Sequence, residues 1–346
     1  MAQRVFSFRS YFLVGFLLSI SAFAQVDQYA RGLEFFRQRQ WSDAATAFQQ
    51  YEKAQPGKSD ARLYAAKSLI NVGQIKEAAS TLEPYVANNP NSQDAVYLLA
   101  YLRFREDRPR ESLKLFTAAA KLKTPTSDDL KIVSLDYVLL NDYDDAGRYL
   151  EESLKMDPDN LEARYHLGRV RYQQNKFDQA IAAFQEVVRR DPANVKAEDN
   201  LGLSLEGKNQ TTQAIAAYRK AIDLDAAAAA HDEEPYLDLG ILLEKLNRGP
   251  EAVPLLLRAT QIAPRSSKAR YELGKAYFAA NHFDDARMQI EEAVRLDNSN
   301  SANHYLLGRV YQRLGKKDLA ARQFAMTEDL IGKQNSNATG MSAGAR

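Results

Sequence analysis

Histidine is the residue type in this sequence best suited to metal binding or general base catalysis, because its imidazole titrates near neutral pH. The four histidines are His166, His231, His282 and His304. No two of them have the spacing that places two metal ligands on one helix face, and none lies in an H-E-x-x-H motif. Cysteine is absent, which excludes thiolate metal sites, disulfides and cysteine nucleophiles. The sequence therefore predicts no metal ion and no cofactor.

Paired carboxylates are the second candidates for chemistry, since two neighbouring acids can act as general acid and base. Such pairs occur at 144–145, 151–152, 284–285 and 291–292. Each pair lies at the expected start of a helix or on its polar side, where solvent and the helix dipole favour negative charge. The sequence also lacks a glycine-rich phosphate loop. We therefore predict a protein that is not an enzyme.

The overall charge argues against one class of partner. The chain has 346 residues, with 46 basic and 45 acidic side chains and a formal net charge of +1. Nucleic-acid-binding proteins usually carry a strongly basic face, so we predict no nucleic-acid partner. The content of 45% hydrophobic and 26% charged residues is typical of a folded protein.

Residues 1–24 have the organisation of a secretory signal peptide. Arg4 and Arg9 precede the apolar run 11–20, and the segment AFA at 22–24 supplies the small residues of a cleavage site. The apolar stretch is shorter than the roughly 20 residues that span a bilayer. We predict cleavage after residue 24 and an exported protein, periplasmic or secreted, of a bacterial envelope, with no transmembrane anchor after cleavage. An uncleaved anchor and a buried core helix are the alternatives.

The rest of the chain repeats with a period of 34 residues. One small residue marks each unit, and the series is Ala44, Ala78, Ser112, Ala146, Ala180, Ala214, Ala252, Ala286 and Ala320. Each step is 34 residues except one of 38, which places four extra residues around 226–230. Another small residue lies twelve positions before each member, and a large apolar residue lies four positions after it. Such a period is typical of a repeat protein whose units stack on one another.

The 34-residue unit resembles the tetratricopeptide repeat. The clearest copy is LEARYHLGRVRYQQNKFDQAIAAFQEVVRRDP, which begins at Leu161, and the resemblance covers nine units over residues 25–332. The tryptophan common near the start of such repeats is missing, since Trp41 is the only one and lies in the turn of the first unit. The resemblance implies an all-α fold, a right-handed superhelical solenoid of antiparallel helix pairs.

The residues support the same fold independently. Within each unit, apolar residues recur twice at three- and four-residue spacing, which indicates two amphipathic helices. Small residues allow the helices of a pair to approach closely, and stacking of neighbours supplies the core. Pro84 and Pro254 lie inside predicted second helices and are expected to bend or loosen them.

The C-terminal end is predicted from its composition. The ninth unit ends near Gly332, and residues 333–346 are short, polar and rich in Gly, Ser and Asn, which predicts a disordered tail. The last helix would then keep apolar residues such as Leu330 and Ile331 uncovered. We expect either that nearby lysines and arginines keep this end solvated or that it supports self-association or docking of a partner.

A partner-binding surface is predicted from the resemblance, since first-helix residues of tetratricopeptide proteins usually contact a peptide or helix in the concave groove. In the third unit the groove positions are all aromatic, and Leu63, Ile70, Leu135 and Val138 make the neighbouring positions apolar. Three later units share a second pattern, in which a tyrosine lies four residues before a lysine or an arginine. The candidate residues are Tyr97, Tyr101, Phe104, Tyr165, Arg169, Tyr172, Tyr271, Lys275, Phe278, Tyr305 and Arg309. The alternative is that these rings pack within the solenoid wall.

Three functions fit these observations. The first is a non-catalytic protein-interaction scaffold of the cell envelope, with a protein or peptide partner. The second is a carbohydrate- or peptidoglycan-binding solenoid, since tyrosines can stack on sugar rings. The third is a regulatory subunit of a secreted enzyme.

Overall fold

The computed structural model describes residues 28–57 and 60–343, with side chains described as far as 336. Within these residues the chain forms 18 helices and no β-strand. The first helix, α1, covers 28–37 of the described residues. The others are α2 (Trp41–Ala54), α3 (Ala61–Val72), α4 (Ile75–Asn88), α5 (Gln93–Arg105), α6 (Pro109–Ala120), α7 (Ser127–Leu139), α8 (Tyr143–Met156), α9 (Leu161–Gln173), α10 (Phe177–Arg190), α11 (Val195–Gly207), α12 (Thr211–Ala226), α13 (Glu234–Lys245), α14 (Gly249–Ile262), α15 (Ser267–Ala279), α16 (Phe283–Leu296), α17 (Ser301–Arg313) and α18 (Lys317–Ala343). The predicted signal peptide lies outside the described residues.

Consecutive helices form nine pairs, and we number the repeats 1 to 9 accordingly, so that repeat 1 is α1 and α2 and repeat 9 is α17 and α18. Contacts divide the chain into two compact units, unit 1 up to Val170 and unit 2 from Arg171. In both units helices pack mainly on their neighbours in the sequence, as α7 does on α8 and α15 does on α16. First helices of successive repeats also contact one another, as α5 and α7 do in unit 1 and α13 and α15 do in unit 2. This arrangement confirms the predicted all-α fold of stacked helix pairs.

Glycines in the first helices allow each pair to close tightly. A Cβ atom on Gly32 would lie 2.8 Å from the ring of Phe48, and one on Gly240 would lie 2.6 Å from the side chain of Leu256. In both pairs the large side chain comes from the second helix of the same repeat. The predicted role of the small residues is therefore confirmed, and the large residue packs directly on the glycine of its own pair.

A left-handed residue ends the first helix in each of the nine described turns between paired helices. The positions are Arg39, Gly73, Asp107, Asn141, Asn175, Asn209, Asn247, Asn281 and Gly315, with φ between 57° and 85°. Asparagine, aspartate and glycine adopt this conformation at lower cost than most residues. The turn has the same geometry throughout, because the same backbone position adopts it in every repeat.

Pro84 and Pro254 do not end their helices. Both are exposed, and α4 and α14 continue on either side of them. A missing amide hydrogen costs less there than in a buried turn, since water can solvate the freed carbonyl group.

The four extra residues lengthen both a helix and a connection. Helix α12 has 16 residues, and an irregular segment follows it before α13. The buried Asp225 organises this segment, because its carboxylate accepts hydrogen bonds from the backbone amide of Asp232 at 2.7 Å and the hydroxyl of Tyr236 at 3.1 Å.

The C-terminal segment differs from the expectation. Helix α18 continues to Ala343, so the backbone beyond residue 332 is helical where the sequence predicted a disordered tail. Extending an existing helix costs less than starting one, and Lys333 pairs with Asp329 one turn earlier at 2.7 Å. Ile331 is 45% exposed on this helix, as expected, and Leu330 is half-buried. Self-association through this end stays a prediction.

Candidate functional site

The first helices of repeats 2, 3 and 4 line much of an open cavity of about 470 Å³ in unit 1. We call it the unit 1 cavity. Its lining residues are Lys67 of α3, Asp94, Tyr97, Leu98 and Tyr101 of α5, Phe116 of α6, Lys123 and Thr126 of the connection, and Asp128, Asp129, Lys131 and Ile132 of α7. The cavity thus combines two of the predicted tyrosines with apolar side chains and both signs of charge.

Tyr97 forms part of the wall of the unit 1 cavity. It is only 8% exposed, and its ring packs edge-on against Phe116 with 5.6 Å between centroids. Its hydroxyl donates a hydrogen bond to the carbonyl oxygen of Lys123 at 2.9 Å, and burial raises the pKa of this hydroxyl. Tyr97 therefore fixes the connection between α6 and α7.

Tyr101 is more accessible than Tyr97. Its side chain is half-buried, its hydroxyl accepts a hydrogen bond from Arg105 at 2.6 Å, and the guanidinium of Arg105 lies 5.7 Å from the ring centroid. Phe104 is half-buried and is not among the residues that line the cavity. The structure therefore brings Tyr97 and Tyr101 together and leaves Phe104 outside.

Lysine side chains make part of the unit 1 cavity polar. The apolar groove positions of the neighbouring repeats did not predict this. The ammonium of Lys131 is almost buried and donates to Asp128 at 3.0 Å and to Glu162 at 2.6 Å. Burial acts to lower the pKa of Lys131, but these hydrogen bonds outweigh it and the pKa is raised. The same hydrogen bond lowers the pKa of Asp128. Lys123 lies 3.3 Å from Asp94, with both side chains largely exposed.

Lys67 differs from the other two lysines. Its ammonium lies 5.7 Å from the ring centroid of Tyr64, and it pairs with no carboxylate within the part of the chain that the structure describes. Sequence reasoning missed Lys67 and Lys131, although Lys67 lies one position after the small residue of its helix and Lys131 three positions before. A search for charged groups at these positions would have found both.

The candidates of repeat 5 lie on α9. Tyr165 is half-buried and packs edge-on against His166 at 5.5 Å, and Arg169 is exposed. Burial lowers the pKa of His166 to about 4, and the charge of Arg169 acts in the same direction. Tyr172 is half-buried in unit 2, where its ring packs against Phe177 and burial raises its pKa.

The candidates of repeats 8 and 9 contact one another through a cation–π interaction. The guanidinium of Arg309 lies 4.7 Å from the ring centroid of Phe278. Tyr271 is half-buried, and Lys275 pairs with Glu272 at 2.7 Å. Tyr305 is the most accessible candidate ring, with 51% exposure. These contacts link the two repeats.

The described residues offer neither a metal site nor a membrane-spanning helix. Among the described residues, no cluster of three or more histidine or acidic side chains has a geometry that could hold a metal ion. Over the same residues, the structure contains no helix with the length and apolar character needed to cross a membrane.

Comparison with known proteins identifies the repeats. A family model described as tetratricopeptide repeat matches residues 134–195, 200–267, 237–303 and 271–329, and a second model with the same description matches 35–102. Among curated proteins, anaphase-promoting complex subunit 3 of Schizosaccharomyces pombe is 26% identical over 95 residues, which are 28% of this chain and 14% of that protein. The TPR repeat-containing thioredoxin TTL4 of Arabidopsis thaliana is 29% identical over 102 residues, 30% of this chain and 15% of that protein. The chain thus spans about a seventh of the length of these curated relatives.

Solved structures show the same fold. The yeast Tom70 structure superposes with a TM-score of 0.56 and 20% identity, covering 86% of this chain and 63% of that chain. The structure of the APC/C hetero-tetramer Cut9–Hcn1 gives a TM-score of 0.55 and 17% identity, covering 83% of this chain and 56% of that chain. The family matches cover more than half of the sequence, and the chain therefore belongs to the tetratricopeptide repeat family.

Proposed function

We propose that this chain is a protein-interaction scaffold of the cell envelope that binds a segment of a partner protein in the unit 1 cavity. The tetratricopeptide fold supports a protein-interaction role. The observation that carries the proposal is a cavity of about 470 Å³ that joins the half-buried ring of Tyr101 to the unpaired ammonium of Lys67. Aromatic side chains supply much of the binding energy at protein interfaces.

The charges in the cavity indicate which partner chemistry fits. Lys131 and Lys123 already have carboxylate partners, so an incoming anion would compete with Asp128, Glu162 or Asp94 for them. Lys67 has no such competitor among the described residues. We therefore infer a partner segment in which an acidic residue lies next to an apolar one. The carboxylate would pair with Lys67, and the apolar side chain would pack against Leu98, Tyr101 and Ile132.

The proposed location depends on residues 1–24. Their signal-peptide pattern supports export, and the partner would then be a protein of the periplasm or of the secreted fraction. Sequencing of the mature N-terminus tests this location directly. A mature chain that begins at Gln25 in the soluble exported fraction supports it, and a membrane-bound chain that retains residues 1–24 contradicts it.

Site-specific photo-crosslinking in cells tests the binding site. A photoreactive phenylalanine replaces Tyr101, and the control position is Lys114, which is exposed on the second helix α6. We expect defined protein adducts from position 101 and not from 114, and we expect Lys67→Glu to remove them while Lys114→Glu does not. Equal adducts at both positions contradict the proposal. Retention of the chain on isolated wall material, without protein adducts, favours the carbohydrate-binding alternative.

A further inference from the structure

Pairs of aromatic rings close the corner between the two helices in three of the repeats. The pairs are Phe36 with Trp41 at 5.2 Å, Tyr172 with Phe177 at 5.7 Å, and Phe278 with Phe283 at 5.6 Å, all measured between ring centroids. In each pair the first ring comes from the end of the first helix and the second from the first residue of the second helix. In repeat 8 the guanidinium of Arg313, from the next repeat, also lies 4.4 Å from the ring centroid of Phe283.

Repeat 7 lacks both the rings and the covering guanidinium. The positions equivalent to Phe278 and Phe283 are Glu244 and Gly249, and the position equivalent to Arg313 is Ala279. A Cβ atom on Gly249 would lie 3.1 Å from Oε1 of Glu244, so the two residues still face each other at this corner. The side chains that fill the corner in repeat 8 are therefore absent here.

A cavity of about 640 Å³ occupies this corner of unit 2. We call it the repeat 7 cavity. Small and apolar residues make up much of its wall, and Asn247, Tyr277 and His282 complete it, with the rings of Tyr277 and His282 stacked at 6.3 Å between centroids. The cavity lies where repeat 8 has an aromatic ring and an arginine side chain.

One buried hydrogen-bond acceptor without a donor lies in the same cavity. Oε1 of Glu244 is buried and has no hydrogen-bond partner among the described residues. The nearest charges from the packed helix α15 are Lys275 and Glu272, which pair with each other at 2.7 Å. An unpaired buried acceptor costs free energy, and a donor from a ligand would remove that cost.

We propose that the repeat 7 cavity binds an aromatic side chain and an adjacent basic side chain of a partner protein. The ring occupies the space that Phe283 fills in repeat 8. The basic group pairs with Glu244 and lies against Ala279, where Arg313 lies in repeat 8. The site is separate from the unit 1 cavity and does not depend on the function proposed for it.

A dipeptide titration of the full chain tests this proposal. The probe is acetyl-Trp-Arg-amide, compared with acetyl-Trp-Glu-amide and acetyl-Ala-Arg-amide, and binding is followed by NMR shifts of the backbone amides of Gly249 and Ala276. We expect the Trp-Arg probe to bind at least about tenfold more tightly than either comparison probe. Equal affinity for the three probes, or no shift at millimolar concentration, overturns the proposal.

A variant that fills the repeat 7 cavity with side chains of the chain itself should weaken binding of the probe. Gly249→Phe combined with Ala279→Arg introduces the repeat 8 residues at two of the three positions, and the atom nearest to the new Cβ is the mobile end of Glu244, which can move aside. We expect at least about tenfold weaker binding of the Trp-Arg probe. Thr211→Phe places the same ring at the first position of α12 and is the control, expected to leave binding unchanged.

A third variant isolates the charge. Glu244→Gln keeps the shape of the side chain and removes its charge, so it should reduce the preference for Trp-Arg over Trp-Glu by several-fold. A preference that survives in this variant, or binding that survives in the filled variant, contradicts the assignment. Binding that is lost in Lys67→Glu instead places the probe in the unit 1 cavity and also contradicts it.

Discussion

Gly202 of α11 lies directly against the ring of Tyr218 of α12. A Cβ atom on Gly202 would lie 2.6 Å from Cδ1 of that ring, and Tyr218 is completely buried. The tyrosine hydroxyl donates a hydrogen bond to Glu206 at 3.0 Å, which fixes the ring in place. The ring therefore has little room to move away from the glycine.

We predict that Gly202→Ala destabilises the protein by about 1–3 kcal/mol, because the added methyl group overpacks the pair. Gly332 of α18 is the matched control, since a Cβ there meets nothing within 4 Å. Gly332→Ala should be neutral or stabilising by up to about 1 kcal/mol. Urea unfolding followed by circular dichroism measures both free energies. Equal effects of the two substitutions would show that the contact with Tyr218 is unimportant.

Tyr97 should behave as a structural residue and Tyr101 as a surface residue. Tyr97→Phe removes the hydrogen bond to the carbonyl of Lys123 and should cost about 0.5–1.5 kcal/mol, whereas Tyr97→Ala should cost about 3–5 kcal/mol. Tyr101→Ala should leave the melting temperature closer to that of the wild type than Tyr97→Ala does. A larger loss of stability from Tyr101→Ala would reverse these roles.

Asp136 should make the protein more stable in mild acid. The side chain is completely buried in α7, and burial raises the pKa of Asp136 to about 7 from an ordinary value of 3.8. The folded state therefore holds the proton more tightly, so the free energy of unfolding should fall as pH rises from about 4 to about 7. The linked change is on the order of 4 kcal/mol.

Asp136→Asn removes this titration. We expect the variant to exceed the wild type in stability at pH 8 and to approach it near pH 4. Thermal melts at a series of pH values give the difference between the two proteins. A constant difference across this range would mean that Asp136 does not titrate as described.

We predict that His166 lowers the free energy of unfolding at low pH. Burial lowers the pKa of His166 to about 4 from an ordinary value of 6.5, so the unfolded chain binds a proton that the folded chain rejects. The free energy of unfolding should fall by about 3 kcal/mol as pH decreases from about 6.5 to about 4. His166→Gln should lose this part of the pH dependence. An NMR titration of the imidazole that gives an ordinary pKa would contradict the prediction.

The sequence by itself determined the repeat architecture. The 34-residue period, the small residues and the large residues sixteen positions later, such as Gly202 and Tyr218, predicted the helix pairs correctly. These contacts lie within one pair of neighbouring helices, so they leave a regular trace in the sequence. The helical continuation to Ala343 was not predicted, because composition describes an isolated segment and not one that extends an existing helix.

The tertiary structure alone decided what each groove residue can do. Tyr97 and Tyr101 look alike in sequence, yet the hydroxyl of Tyr97 is bound to a carbonyl 26 residues away and that of Tyr101 is bound to an arginine on its own helix. The gap at Gly249 is visible in the sequence, but the unpaired oxygen of Glu244 beside it is not. Exposure and pairing depend on side chains that adjacent repeats place around a residue, and these differ from repeat to repeat while the backbone pattern stays the same.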